Sequence, residues 1–407
     1  MRIRKKSPVF WLVCLLFLAG CPAKPPEPPA PPEPPARPVF ERIQAHQLPD
    51  LSDDESTGAL RSAIVTSLSW YDKVPAERSF SFGSRTISAG ALKESLVHFL
   101  GLLDSGGLDA SALARDFDMF RVVPPDRSGN MLVTGYYEPV LDGSLKPDGK
   151  YKWPLYGLPA ELLTIDLERF DPERFRGEKL TGRVEKNRVV PFYTRAEIDG
   201  WKMLERSGAQ IAWLKDPVDC FFLHIQGSGM IKLPDGTVRR VGYAGTNGRP
   251  YRGIGKTLIE KGAVSREDMS LQAIRKYLRD HPESRDAIMW ENESYVFFRF
   301  VKKGPLGSLD AVLTAGRSVA SDPKFHPRGA LAFLVSEKPR YDSMGQVAGW
   351  DRLSRWVLNQ DTGGAIKGPG RLDLFCGTGN AAEEIAGPMK QPGEMYYFIR
   401  KGLVPAE

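Results

Sequence analysis

The chain is 407 residues long, 42% hydrophobic and 26% charged, with a formal net charge of +6 and four cysteines. That is enough chain for two domains. No concentrated basic stripe supports nucleic-acid binding, no CxxC or Cys/His spacing supports a metal site, and no motif calls for a cofactor.

At the N-terminus Arg2, Arg4, Lys5 and Lys6 precede the apolar run VFWLVCLLFLAG, which is short for a membrane-spanning helix. A basic segment, a short apolar core and small residues before a break are the parts of a secretory signal peptide. Here the small residues end in Leu18-Ala19-Gly20-Cys21, which resembles the bacterial lipobox, where the Cys becomes the lipidated first residue. An ordinary signal peptide with an incidental Cys is the plainer alternative. Removal of residues 1–20 takes away four basic and no acidic side chains, leaving a net charge of +2. The protein is then expected to be anchored through a lipid on Cys21. Pro22 in place of Asp points to the outer membrane, facing the periplasm. Residues 22–38, PAKPPEPPAPPEPPARP, favour polyproline II. At roughly 3.1 Å per residue they make a tether of up to about 50 Å, a better fit to an exported protein than an SH3-type ligand.

Ser52-x-x-Glu55 predicts a capping box opening a helix with Leu60, Ile64, Leu68 and Tyr71 on one face. A second amphipathic helix is expected over 91–103. Residues 131–145, 219–233 and 237–245 carry β-branched or aromatic runs punctuated by glycine and Pro-Asp-Gly, and predict strands and hairpins. Helical pattern returns over 252–280, where Ser265-x-x-Asp268 is expected to cap a helix carrying Leu271, Ile274 and Leu278. From Tyr295 onward YVFFRF, ALAFLV, RWVLNQD, LDLF and MYYFIR again predict strands. The fold class expected is mainly β with peripheral helices.

Several motifs fail on inspection. RGIGKT (252–257) lacks the Walker A glycine, because Pro250 stands where it belongs, and reads as a helix start with Lys256 exposed. Ser228 in QGSGM lacks the glycine that a nucleophile elbow needs at Gln226. The five histidines fall in no catalytic spacing, and His224 reads as a packed residue in a strand. Cys220 and Cys376 read as buried thiols, with a disulfide between them the alternative. Asp-Thr-Gly at 361–363 suits an aspartic protease only with a second copy, which this chain lacks, or a homodimer that supplies one. Two carboxylates are left. Asp361, beside Gly363 and Gly364, has a strong alternative as an Asx turn former. Asp373 lies between Leu372 and Leu374, where apolar flanks disfavour the charged form and suit it to donate a proton near neutral pH.

SVASDPKFHPRGALAFLV (318–335) followed by NQDTGGAIKGPGRLDLFCGTG resembles the three-aspartate double-psi β-barrel domain of bacterial cell-wall enzymes. Upstream, VTGYYEP, FFLHIQGSG, YAGTNGRPYRGIGKTLIEKG, MSLQAIRKYL and NESYVFFRF occur in order and resemble the membrane-bound lytic murein transglycosylase A family. The resemblance implies a double-psi barrel from residues 39–138 and 304–407, with a smaller β-rich domain, 139–303, inserted beside a glycan groove. It implies cleavage of the β-1,4 bond between N-acetylmuramic acid and N-acetylglucosamine, leaving 1,6-anhydromuramyl ends. Asp373 corresponds to the catalytic acid, with Asp361 and Asp322 as supporting acids. Thr134 and Gln226 match groove positions, and Tyr136, Ser228 and Lys367 join them as expected substrate-binding residues. Peptidoglycan strands are the expected partner, with cell-wall synthesis or division complexes as further candidates. Two other readings stay open: a peptidoglycan-binding or wall-loosening module without catalysis, and an inverting glycosidase using Asp361 and Asp373.

Overall fold

Runs of alternating β-branched and aromatic residues pair wherever one face can be buried. In the computed structural model, which describes residues 39–124, 130–175 and 177–404, six such runs close into a ring. The signal segment, Cys21 and the proline tract lie outside the described residues. The ring strands are Met131–Glu138, Ser318–Ser321, Leu331–Tyr341, Val347–Asp361, Arg371–Thr378 and Lys390–Arg400. Lys390–Arg400 starts against Met131–Glu138, with Lys390 opposite Thr134, and continues against Leu331–Tyr341. Ser318–Ser321 runs parallel to Val347–Asp361, and Arg371–Thr378 parallel to Met131–Glu138, while the remaining ring pairs are antiparallel. This is the closed barrel, mainly β, that the resemblance implies. Phe40–Ile43 and Phe117–Val122 extend the sheet outward from Lys390–Arg400.

Two helices cover the barrel. Thr57–Tyr71 buries Leu60, Ile64 and Tyr71, and Ala89–Asp104 buries Leu92, Leu96 and Phe99. Phe99 and Phe398 each pack on Trp356 with ring centroids 4.7 Å apart, edge-on contacts worth about 0.5–1.5 kcal/mol each beyond burial. The first helix is capped by Ser56, which accepts from the Ala59 amide, and not by Ser52. The acidic run 50–55 is drawn away to arginines of the barrel: Asp53 meets Arg317 at 2.7 Å and Asp54 meets Arg355 at 2.8 Å.

Between residues 140 and 301 the strands form separate sheets, one of six strands ending in Val296–Val301 and one of three, Leu163–Asp166, Lys179–Glu185 and Arg188–Pro191. The expected strand over 219–226 is instead the helix Pro217–Gln226. Asp216 caps it through the Val218 amide, Pro217 fills the first turn, and Gly227 at φ 76° ends it. Val218, Phe221, Phe222, Leu223 and His224 are all buried, so the helix is apolar nearly all round and its sequence has no exposed face to reveal the period. The helix Leu271–Asp280 is likewise capped by Ser270, while Ser265 closes a turn onto Asp268.

A buried arginine organises this region. Arg195 donates to the Asn292 carbonyl at 3.0 Å and to His224 Nδ1 at 3.2 Å, between the rings of Phe221 and Tyr295. Burial and the Arg195 charge push His224 far below the usual imidazole range, so it stays neutral and accepts that bond. Where the chain leaves the barrel, the fully buried Glu138 meets Arg240 at 2.8 Å and accepts from Thr378 Oγ1 at 2.8 Å.

Candidate active site

Both candidate acids are set by strand register. Ala320 is the Cα partner of Asp361 on one side and of Asp373 on the other. With strands about 4.8 Å apart, the two acidic residues stand about 10 Å apart at their Cα atoms. Asp373 is in turn the partner of Thr134, and Phe375 of Tyr136, so these four belong to one two-strand ladder.

Thr134 Oγ1 donates to Asp373 Oδ1 at 2.7 Å. The same hydroxyl accepts from Arg371 Nη2 at 3.2 Å, which leaves its proton for the carboxyl. Asp373 is pushed up to about 6, chiefly by burial, with Asp361 adding to the rise and Thr134 and Arg371 opposing it. Asp361 accepts from Tyr136 OH at 2.9 Å, the Ser308 amide at 2.9 Å and the Thr362 amide at 2.8 Å. Burial nevertheless pushes it up to about 6 as well. Both residues are half-buried as a whole.

Asp322 is buried and turned to another task. It accepts from the Gly368 amide at 2.7 Å and the Lys324 amide at 3.1 Å. Nearby His326 sits 3.1 Å from the Pro369 carbonyl through Nε2 and 2.9 Å from Tyr397 OH through Nδ1. Burial holds it near 4, so it is neutral, with Nε2–H donating to Pro369 and Nδ1 accepting from the tyrosine. These two side chains fasten the glycine-rich loop that joins the candidate acids.

Asp361 opens on a cavity of about 550 Å³. Its barrel wall carries Tyr136, Ser308, Arg328, Asp361 to Ala365 and Lys367. The facing wall carries Gln226, Ser228, Tyr243, Thr246 and Tyr251. Tyr136, Gln226, Ser228 and Lys367 therefore share one groove, and Gln226 also accepts from the Tyr137 amide at 3.0 Å. Thr134 and Asp322 do not line it; one holds Asp373 and the other holds the loop. Asp373 is not among the lining residues either; it lies close enough to Tyr251, which is, for its charge to help raise that hydroxyl, burial being the larger cause. Burial pushes the thiols of Cys220 and Cys376 far up, both are free, and neither is set up as a nucleophile.

Sequence reasoning missed four contributors. Arg371 stands two residues before Asp373, hence on the same strand face, and that spacing was a usable signal. Tyr251 and Arg328 lie within blocks quoted above but in no pattern that marks them for a site, and nothing local marks Ser308. A carboxyl that titrates near 6 beside a groove lined with hydroxyl, amide and aromatic groups can donate and recover a proton on a polar, extended ligand.

The model of the MltA-specific insert domain matches residues 132–299, and that of the 3D domain matches residues 317–399. The chain is 33% identical over 297 residues to the membrane-bound lytic murein transglycosylase A of Escherichia coli, covering 72% of each. It is 34% identical over 274 residues to the protein so named in Vibrio cholerae, covering 67% of this chain and just under two thirds, 66%, of that relative. The crystal structure of E. coli MltA with bound chitohexaose superposes with a TM-score of 0.67 at 26% identity, over 91% of this chain and 96% of that one.

Proposed function

The chain belongs to the membrane-bound lytic murein transglycosylase A family, and on that premise we propose that it is a peptidoglycan lytic transglycosylase with Asp373 as its single acid and base. The observation that carries this is the carboxyl of Asp373, raised to about 6, held by Thr134 and felt by Tyr251, which lines a sugar-sized groove. Protonated Asp373 donates to the glycosidic oxygen as the bond between N-acetylmuramic acid and N-acetylglucosamine breaks. Ionised Asp373 then takes the proton of the muramoyl C6 hydroxyl as that oxygen attacks the anomeric carbon. The product carries a 1,6-anhydro ring, and no water need be positioned because the nucleophile belongs to the substrate. Binding of chitohexaose by the E. coli relative supports a glycan in the groove.

The inverting-glycosidase reading asks Asp361 to activate water. Both its oxygens already accept bonds, from Tyr136, Ser308 and Thr362, which favours a bracing role. Residues 139–303 are proposed as the inserted domain that supplies the facing wall. The relatives' description as membrane-bound fits an outer-membrane lipoprotein anchored at Cys21. Digestion of purified peptidoglycan with mass analysis tests the activity. Anhydro ends are expected; new reducing ends point to hydrolysis, and absence of cleavage to a binding module.

A further inference from the structure

A second cavity of about 770 Å³ adjoins the groove and shares two of its walls, Tyr251 and Ile225. Its floor is apolar, built from Phe221, Phe222, Met269, Leu271 and Ile274, and it lies among the helices Pro217–Gln226, Ile254–Glu260 and Leu271–Asp280. Its rim is basic. Arg252, Lys256 and Arg266 stand against the single acid Glu260. Glu260 is shared weakly, 3.7 Å from Lys256 and 3.8 Å from Arg252, and Arg252 also meets Glu291 at 3.1 Å. Lys256 is largely exposed, its side chain 76% accessible. The two cavities meet at Tyr251, which lines both, packs against Gly364 of the acid-bearing loop and feels the charge of Asp373.

The glycan backbone alone has no use for such a branch, since it is unbranched and runs along the groove; without peptides it offers only a short lactyl carboxylate on each muramoyl unit. The muramoyl sugar, however, bears a lactyl ether at C3 that in the intact wall is amide-linked to a short peptide. That peptide combines methyl and methylene groups with free carboxylates. We propose that the side cavity receives this acidic peptide as it leaves the muramoyl residue bound at Asp373, with its apolar groups on the Phe222–Ile274 floor and its carboxylates on Lys256 and Arg266. The proposal rests on the transglycosylase reading and adds a specificity site to it. Continuity with the groove and complementarity of charge single out this occupant over a second protein, which would need a flatter and larger face.

The test compares two substrates: purified glycan strands carrying their stem peptides, and the same strands after removal of the peptides by an amidase. For the wild-type protein kcat/KM on the first is expected to exceed that on the second by about 5-fold or more, a ratio equivalent to about 1 kcal/mol. The double substitution Lys256→Glu with Arg266→Glu, both on the surface, is expected to bring the ratio near one. Lys146→Glu, an exposed residue outside both cavities, serves as the control and keeps the wild-type ratio. A wild-type ratio of one, or a double variant that keeps the wild-type ratio, overturns the proposal while leaving the transglycosylase reading intact. Failure to cleave either substrate overturns both.

Discussion

Replacing Asp373 by Asn should abolish cleavage and at the same time stabilise the protein at neutral pH. The folded carboxyl titrates near 6, against an ordinary value of 3.8. A folded-state value above the unfolded one means that the stabilising contribution of the neutral form is complete below pH 3.8 and is lost as pH rises through 6. A gap of about two units corresponds to about 3 kcal/mol at pH 7.5. Asp373 is half-buried as a residue, so solvent screening reduces this and about 1–3 kcal/mol is expected. Asn keeps the oxygen that accepts from Thr134 and carries no charge, so it escapes the loss. Urea unfolding of both proteins at pH 7.5 and pH 4 measures the difference, which should shrink below about 1 kcal/mol at the lower pH. An equal gain at both pH values would show that charge burial is not its origin, and a less stable variant at pH 7.5 would refute the reasoning outright.

Thr134→Val removes a bond that favours the carboxylate, so the alkaline limb of the kcat/KM profile should move to higher pH. Asp361→Asn removes a like charge and should move the same limb to lower pH; a common direction of shift for the two would contradict the site electrostatics. Asp322→Asn should cost about 1–3 kcal/mol in denaturant unfolding by weakening the bond to Gly368, and should speed hydrogen exchange at that amide. Arg195→Met strips the donors from the Asn292 carbonyl and His224 inside a buried cluster and should cost about 3–5 kcal/mol, read as a lowered Tm.

How much was legible depended on whether a signal was local. The barrel strands could be read because runs of β-branched, aromatic and leucine residues, as in LDLF and RWVLNQD, mark them even where both faces are buried. Asp373 could be read because its two leucine neighbours announce a buried carboxyl. The helix at 217–226 could not, since burial on nearly every side erases the polar face that would show a 3.6-residue period. Asp322 was legible as a member of the acidic trio, but its task as a loop fastener emerges only when the Gly368 amide arrives from 46 residues away. Arg328 and Ser308 become part of the site only when the ring closes, which no short window contains.

The place of Ala320 between the two acids has a consequence for how such a site can change over time. Their spacing belongs to the hydrogen-bond ladder and not to the reach of either side chain. The register between the strands keeps the acids across Ser318–Ser321 from each other, whatever the glycine-rich loop between them does. A single residue inserted within that four-residue strand would turn its own side chains to the opposite face and slip its register against the strands that carry the acids. Length variation among natural relatives should therefore be absent from the short strand that separates them.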